Sequence, residues 1–547
     1  MDVKNRGQKT RVVIVGGGHA GFRAAKRLLA LRKPSDNLEI VLASGETSLV
    51  YHGMMPQIVG GGIQARNILM PLRTHLPGIV FYHYEVERID LKNRKVYLDP
   101  VAERAKIEIS YDYLVIALGS VANLSRFPGS QEHGLQTKTI GDVYHLHDHL
   151  LEMLERASVE EDAEERRRLL TFVVAGAGYA GVEIVAEANN LLRSALRFYP
   201  SIRPEEIRVS IVDSTERILP AMTEKLARKA SDYLGRKGVQ LRLKTTLVSA
   251  SAGEVVLSTG ERLQSRTIIV TAGIAPNPVI TNLPVEKDRG RVKTDEYCRV
   301  SGLERVYAAG DNAAIPHVKT GQPCPPTFMY AYMQGARVGD NIIAELRGKR
   351  LRRFKFHNFS EAAQLGLTFG LLQIGRLSFA GLVPSILVRT LIFLSVPSWR
   401  CRLGLMADWT AALGPPDVTQ MKIARTDMIV PLRFSAGTDI IRQGDPGNRF
   451  YIVNAGKVEV IRRNGTDAEV LATLGPGQYF GEVALLRQSG RTATVRAVED
   501  TTVLSIARKD FTALIQNLPI LEEVISQTSR DALAVASPHE PNTAIAP

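Results

Sequence analysis

Cysteine is scarce: Cys298, Cys324 and Cys401 are the three in 547 residues, widely spaced and without a C-x-x-C pair. That excludes a disulfide scaffold, a zinc site built on paired cysteines and a redox dithiol, and leaves three isolated packing residues. The uninterrupted apolar runs fall short of the ~18 to 20 residues that a membrane-spanning helix needs. The N-terminus enters its first strand near Val12 without the apolar stretch of a secretory signal, so the expected compartment is the cytosol. What is present is globular in character, 45% hydrophobic and 23% charged, in a chain too long for one core, which predicts three or four domains. The net charge of +13 points to an anionic partner, and charge alone does not choose between lipid headgroups, nucleotides and nucleic acid.

The organising stretch is Val12-Val13-Ile14-Val15-Gly16-Gly17-Gly18-His19-Ala20-Gly21. A β-branched strand runs into G-x-G-x-x-G and then into a helical pattern, the signature of a dinucleotide-binding turn. Gly16 permits the turn, Gly18 lets a pyrophosphate approach the backbone, and Gly21 lets helix pack on strand, with the phosphate at the helix N-terminus. The pattern recurs from Thr171 to Glu183 with Gly176, Gly178 and Gly181. Beyond it, Val209–Val212 ends in Asp213, a carboxylate that suits the ribose hydroxyls of NADH and repels the 2′-phosphate of NADPH. The equivalent strand of the first unit, Leu38–Leu42, runs into Ala43 and Ser44, so Ser44 or Glu46 is the candidate ribose contact there.

Strands ending in Gly119, in Gly273 and in Gly310-Asp311 offer backbone donors, and at Asp311 an acceptor, to a sugar or flavin chain. The segment Tyr51–Pro56 with Gly60–Gly62 reads either as a loop over a cofactor ring or as a connector. His145 and His149 share a helix face while His147 points elsewhere, and no metal site is expected. Glu152 to Arg168 reads as a solvated helix or linker. The return of the chain at Val306–Asp311 predicts an α/β fold of two Rossmann-type domains, the second inserted in the first.

Residues 10 to about 415 resemble the type II NADH dehydrogenases (NADH:quinone oxidoreductases). The resemblance rests on the two fingerprints, Tyr113–Gly119, Leu169–Val174, Thr271-Ala272-Gly273, Ala308–Asp311 and Pro323–Thr327. It implies FAD at Gly16, Gly18, Gly21 and Asp311, NADH at Gly176, Gly178, Gly181 and Asp213, and Glu183 near the nicotinamide and the quinone pocket. It further implies a non-pumping enzyme, peripheral on the inner face of the cell membrane. Ala117-Leu118-Gly119 stands where the family carries A-T-G, and Phe328-Met329 where it carries an Ala-Gln pair at the quinone site. Related sulfide:quinone reductases need cysteines in the N-terminal half, and none precedes Cys298.

A basic cluster, Arg347, Lys349, Arg350, Arg352, Arg353 and Lys355, precedes an apolar region from Ala362 to Val396 broken by Arg376, Pro384 and Arg389. Apolar helices with basic edges predict a monotopic anchor on an anionic membrane, with Trp399 and Trp409 at headgroup level. The alternative is a buried helical hairpin in the core of a homodimer.

After Leu413–Pro416, short strands punctuated by Gly437, Gly444, Gly456, Gly465, Gly475 and Gly477 predict a β jelly roll. Phe480–Leu486 followed by Arg491–Val495 resembles the phosphate-binding cassette of cyclic nucleotide-binding domains. In that pattern Glu482 accepts from a ribose hydroxyl, Arg491 pairs with the cyclic phosphate, Gly481 and Ala484 offer amides, and Thr492 reaches the base of cAMP or cGMP. The expected boundaries are 10–165 and 295–345 for the FAD domain, 166–294 for the NADH domain and 346–414 for the helical membrane segment. Residues 415–535 form the cyclic nucleotide domain, with lid helices from Phe511 to Val535, and 536–547 a disordered tail. The expected function is NADH:quinone oxidoreduction regulated by a cyclic nucleotide; the alternative is a cyclic-nucleotide sensor whose flavoprotein half serves another acceptor or none. No nucleic-acid partner is expected.

Overall fold

The computed structural model describes residues 9–101, 105–122, 127–251, 253–271, 273–396, 398–421, 429–445, 447, 449–464, 467–486, 490–508 and 511. The expected lid helices beyond Phe511 and the tail from 536 lie outside these residues.

The first fingerprint strand, Thr10–Val15, lies in the interior of a seven-stranded sheet. It pairs in parallel with Leu38–Ser44 on one side and Tyr113–Ile116 on the other. Val12, Val13, Ile14 and Val15 are fully buried, as a strand covered on both faces demands, each contributing roughly 1.5–3 kcal/mol. Val306–Ala308 joins the sheet beside Tyr113–Ile116, so the chain does return to its first domain. The far edge is antiparallel, through Val80–Asp90, Lys95–Pro100 and Ile107–Ser110.

The second sheet runs in the order Gly134–Leu135, Thr267–Val270, Thr171–Ala175, Arg208–Val212, Val239–Arg242, all parallel. It thus takes in residues 134–135, ahead of the expected start at 166. The helix Ile140–Val159 belongs with it, burying Val143, Leu146, Leu150, Leu151 and Leu154. The run Glu152–Arg168 is also more than a solvated linker: Arg166 donates to Glu206 Oε1 at 2.8 Å and Arg266 to Glu165 at 2.9 Å. The two crossings between domains, Ser120–Ala122 outward and Ile274–Pro276 back, pair with each other as an antiparallel ribbon.

The region expected to be a helical anchor is helical only in its second half. Ser360–Gln364, Gly370–Ile374 and Leu377–Gly381 form a three-stranded antiparallel sheet, turned at Gly366 (φ 89°) and Gly375 (φ 58°), where only glycine is unstrained. Leu382–Ser395 and Trp399–Ala411 are the helices. Their outer face exposes Val383, Ile386, Leu391, Leu394, Trp399 and Leu403, while Ser385, Val388, Arg389, Cys401 and Leu405 face inward. Trp409 departs from the expected headgroup position: its Nε1 donates to Gln57 Oε1 at 3.0 Å and Arg389 lies over its ring. Among the described residues no helix is long and apolar enough to cross a membrane. Of the basic cluster, Arg347 is used internally, forked onto Asp36 at 2.6 and 3.0 Å.

The C-terminal unit is two four-stranded antiparallel sheets, one containing Ile429–Phe434, Thr501–Ala507 and Arg449–Ala455, the other Asp439–Ile441, Thr494–Ala497, Val458–Asn464 and Asp467–Leu474. Its core is Leu432, Tyr451, Val453, Val458, Phe480, Val495 and Val503.

Candidate active site

The two fingerprints build the same cradle twice. Gly16 and Gly176 have φ of 100° and 112°. A Cβ on Gly21 would stand 1.9 Å from Gly16 O, and one on Gly181 1.8 Å from Gly176 O, so the third glycine of each is dictated by helix-on-strand contact. Gly18 and Gly178 face open space, with nothing within 4 Å. Each is also the N-cap of the helix that follows, His19–Leu31 or Tyr179–Ala195, with no side-chain cap. The first-turn N–H groups are therefore left for an anion. That combination fits a dinucleotide pyrophosphate at both places.

Around the second cradle, Asp213 lies where its strand position predicts, accepting from Ala177 N at 2.6 Å and Thr215 N at 2.8 Å. The carboxylate is thus fixed beside the glycine turn. Gly273 holds a φ of 93° at the end of the neighbouring strand.

Around the first cradle, Ser44 is buried against Gly17 and accepts from Glu46 N at 3.1 Å. Asp311 accepts from Ser120 Oγ at 2.9 Å, and Lys138 Nζ donates to the same hydroxyl at 3.3 Å. The glycine strand ends differ from expectation: Gly119 N donates to Asn312 Oδ1 and Gly310 N to Gln334 Oε1, both at 2.9 Å. Those amides serve the fold, and the acceptor Asp311 is what the turn presents.

At the N-terminus of the first helix, His19 is half-buried, and both its ring nitrogens are shielded from solvent and lack a partner among the described residues. Burial, helped by neighbouring His52, pushes it down to about 3, so it is neutral. Tyr51, His52 and Phe328 surround it, with ring centroids 6.2, 5.7 and 4.5 Å away. An aromatic, partly unsatisfied pocket beside an open pyrophosphate cradle fits a flavin ring. Phe328 and Met329 open the helix Phe328–Leu346 and are 42% and 39% exposed. Tyr51 reaches across to Ser395 O at 3.3 Å, the end of the apolar helix.

Tyr179, Glu183 and Glu187 recur every fourth residue along the second fingerprint helix and therefore share one face. Tyr179 donates to Glu361 Oε2, and Glu183 Oε1 accepts from Gln364 N, both at 2.8 Å. Both partners come from the strand Ser360–Gln364. Burial pushes Glu183 up to about 8 and Glu187 to about 7, the Arg389 charge opposing the latter. Glu183 thus holds a proton at neutral pH, on the oxygen that Gln364 leaves free.

In the jelly roll, Glu482 starts the short helix Glu482–Leu486 directly after Gly481, whose φ is 90°. Arg491 is buried, donates to Gly481 O at 2.9 Å and Arg449 O at 2.8 Å, and lies over the Tyr451 ring. Thr492 is exposed. The domain touches the second Rossmann unit through Gln131, whose side-chain amide exchanges bonds of 2.9 and 3.2 Å with the Arg433 backbone.

The pyridine nucleotide-disulphide oxidoreductase family model matches residues 10–335, both cradles included. The chain belongs to that family. The oxidoreductase part is similar to a probable NADH dehydrogenase of Dictyostelium discoideum, 24% identical over 74% of this chain and 90% of the relative. It is also similar to the demethylphylloquinone reductase NdbB of Synechocystis, 29% identical over 74% of this chain and 97% of the relative. Among solved structures, NDH2 of Plasmodium falciparum in complex with NADH superposes with a TM-score of 0.69 at 16% identity, covering 74% of this chain and 98% of that one. A cyclic nucleotide-binding domain model matches residues 431–518, so the oxidoreductase is fused to such a domain.

Several residues that the oxidoreductase brings to its site carry little signal in sequence. His19 sits inside the fingerprint, at a position where the motif allows anything. Ser120 opens a short strand, and Lys138 and Asn312 are polar residues in bends or turns. Glu187 has a legible cue, four residues after Glu183 on the same helix. Among the described residues no group of three or more His, Cys, Asp and Glu could hold a metal, and His147 instead bonds Val59 O at 2.9 Å.

Proposed function

We propose that the chain is a type II NADH:quinone oxidoreductase: NADH in the second cradle, FAD in the first, a quinone as the final acceptor, and a cyclic nucleotide bound to the C-terminal domain as regulator. The observation that carries it is the pair of open glycine cradles in two sheets joined by one ribbon, in a chain with no cysteine pair to receive the electrons. FAD supplies the two-electron chemistry when bound. The protein's part is to seat pyrophosphates on two helix N-termini, to offer Asp213 and Asp311 as sugar acceptors, and to hold a protonated Glu183 against Gln364. The dehydrogenase and quinone-reductase relatives support the acceptor class. The apolar outer face of the helices from Leu382 to Ala411, near the exposed Phe328 and Met329, supports a lipid-soluble acceptor delivered from an anionic membrane surface on the inner face of the cell membrane.

The deciding experiment is NADH oxidation with a soluble quinone analogue by the purified yellow protein, repeated on anionic vesicles. Quinone-dependent oxidation with sedimentation on the vesicles is expected; no acceptance of electrons by any quinone overturns the assignment.

Preference for NADH over NADPH is expected, because Asp213 would meet the 2′-phosphate of NADPH with like charge. Steady-state kcat/KM for the two should differ at least about tenfold, a difference of about 1.4 kcal/mol, and Asp213→Ala should narrow the ratio.

For the regulator, Arg491 is the anchor of the cyclic phosphate, with Glu482 and Gly481 beside it. Gln131 ties this domain to the oxidoreductase ahead of Lys138, which meets Ser120 and Asp311 in the first cradle. Couplings of this kind are typically ~1–3 kcal/mol. Calorimetry with cAMP and cGMP on the whole protein should show binding that Arg491→Ala abolishes, and saturating ligand should change the rate of NADH oxidation. Absence of heat with both ligands, from folded wild type, overturns the regulatory half.

A further inference from the structure

Quinone reduction by NADH leaves one proton to be found. Hydride brings two electrons and one proton, a quinol needs two of each, and the balance NADH + Q + H⁺ → NAD⁺ + QH₂ draws a proton from solution in every turnover. Glu183 is the carboxyl placed to give protons near the nicotinamide helix; it is half-buried, and Gln364 N holds its Oε1. Glu187, one turn on, is buried, at 8% exposed. Unlike Glu183, it lines a cleft of about 650 Å³ between its own helix, the Gly60–Gly62 loop, the helix Leu382–Ser395 and the chain at 411–417.

We infer that Glu187 is the inner end of a proton inlet: water in this cleft loads its carboxyl, which passes the proton along the helix face to Glu183. Each transfer moves one proton between two oxygens, and Glu187 is returned to its starting state by the next proton from the cleft. The inference rests on the proposed quinone reduction.

The surroundings of Glu187 fit this task. A Cβ on Gly60 would lie 2.5 Å from Glu187 Oε2, so the loop glycine keeps the wall open at the carboxyl. Arg389 faces it from the apolar helix, yet its two terminal nitrogens donate to Leu367 O, Ser385 Oγ and Gly366 O, and its Nε has no partner among the described residues. The cation therefore acts on Glu187 without capping it. Tyr233 and Lys237 face the cleft from the helix Glu224–Arg236 and its end, Asp408 and Trp409 from the last helix, Arg193 and Asn190 from the same helix as Glu187, and Asp417 from the chain beyond. Gln57 brings a buried Nε2 with no partner among the described residues, a donor for a cleft water.

The test starts with a measurement that needs no turnover. The infrared carbonyl band of the protonated Glu183, identified by its loss in Glu183→Gln, should shift on transfer to D₂O at least about tenfold more slowly in Glu187→Gln than in wild type. Quinone-dependent turnover of Glu187→Gln should fall about tenfold, more steeply at alkaline pH, and Glu187→Asp should recover it. Arg389→Met leaves the carboxyl but removes the opposing cation, so the alkaline limb of the pH profile should move to higher pH; this variant carries the test should Glu187→Gln not fold. An unchanged exchange rate and an unmoved pH profile overturn the inlet. Flavin that NADH fails to bleach in wild type overturns the oxidoreductase assignment instead, and the isotope exchange still decides the inlet.

Discussion

Glu183→Gln is expected to slow quinone-dependent NADH oxidation on the order of a hundredfold while the protein stays yellow. Glutamine keeps the shape and still accepts from Gln364 N, so what is removed is the proton. The same substitution should change how stability depends on pH. Burial raises Glu183 from an ordinary carboxylate value of about 4.5 to about 8. Between those values the native state holds a proton that the unfolded chain has released, so the contribution is fully present below about pH 4.5 and is lost as pH rises through 8. A glutamine mimics the protonated acid, so wild type and variant should melt together near pH 5. The variant should be the more stable by a growing margin toward pH 8.5, on the order of a few kcal/mol at the end. Scanning calorimetry across this range checks it; parallel melting curves would mean that the carboxyl ionises normally. On the acid side the sign reverses. His19 and His149 are held neutral down to about 3 and His133 to about 4, each first by burial. Their contribution is intact above about pH 6.5 and is lost as pH falls toward those values.

Gly21→Ala and Gly181→Ala should have separate and nearly complete effects on the two nucleotides. In each, the new methyl would fall under 2 Å from a backbone carbonyl oxygen, and neither oxygen can yield without opening the turn. At Gly181 the Thr271 hydroxyl is a second obstacle, at 2.7 Å. Overpacking of this kind costs roughly 1–3 kcal/mol, about ten- to a hundredfold if it falls on binding. Gly21→Ala should purify with little flavin. Gly181→Ala should purify yellow but need far more NADH to bleach. Flavin content by absorbance and NADH titration under anaerobic conditions give both readouts. Loss of flavin from Gly181→Ala with retention in Gly21→Ala would reverse the assignment of the cradles.

Those glycines were legible because the constraint is local: strand, turn and helix are contiguous, and each glycine answers a contact within a few residues. Asp213 was legible for the same reason, as the end of the next strand. The sheet at 360–381 was not. Its strands are buried unevenly, so the two-residue period is blurred, and Gly366 and Gly375 read as breaks in an apolar helix rather than as turns. The start of the second domain was displaced because residues 134–135 contribute only two to its sheet, too few to show a pattern. Trp409 reads as an interfacial residue until Gln57 and Arg389, some 350 and 20 positions away, claim its nitrogen and its ring. Glu187 is an acid on an amphipathic helix, ordinarily a surface residue. Its burial comes from Gly60 and the helix carrying Arg389, contacts that no window of sequence contains.

The antiparallel ribbon between the two Rossmann units has a mechanical consequence. Both covalent links run side by side, matched Ile274 to Ala122, Ala275 to Val121 and Pro276 to Ser120, and Lys138 fastens to Ser120 at its root. A double strand of this sort works like the spine of a book. Swivelling one cover about the spine would shear the paired residues past one another, whereas parting the covers bends both strands alike and leaves the pairing intact. The paired links therefore resist a twist of one unit against the other, and so hold the two glycine cradles in a fixed angular relation.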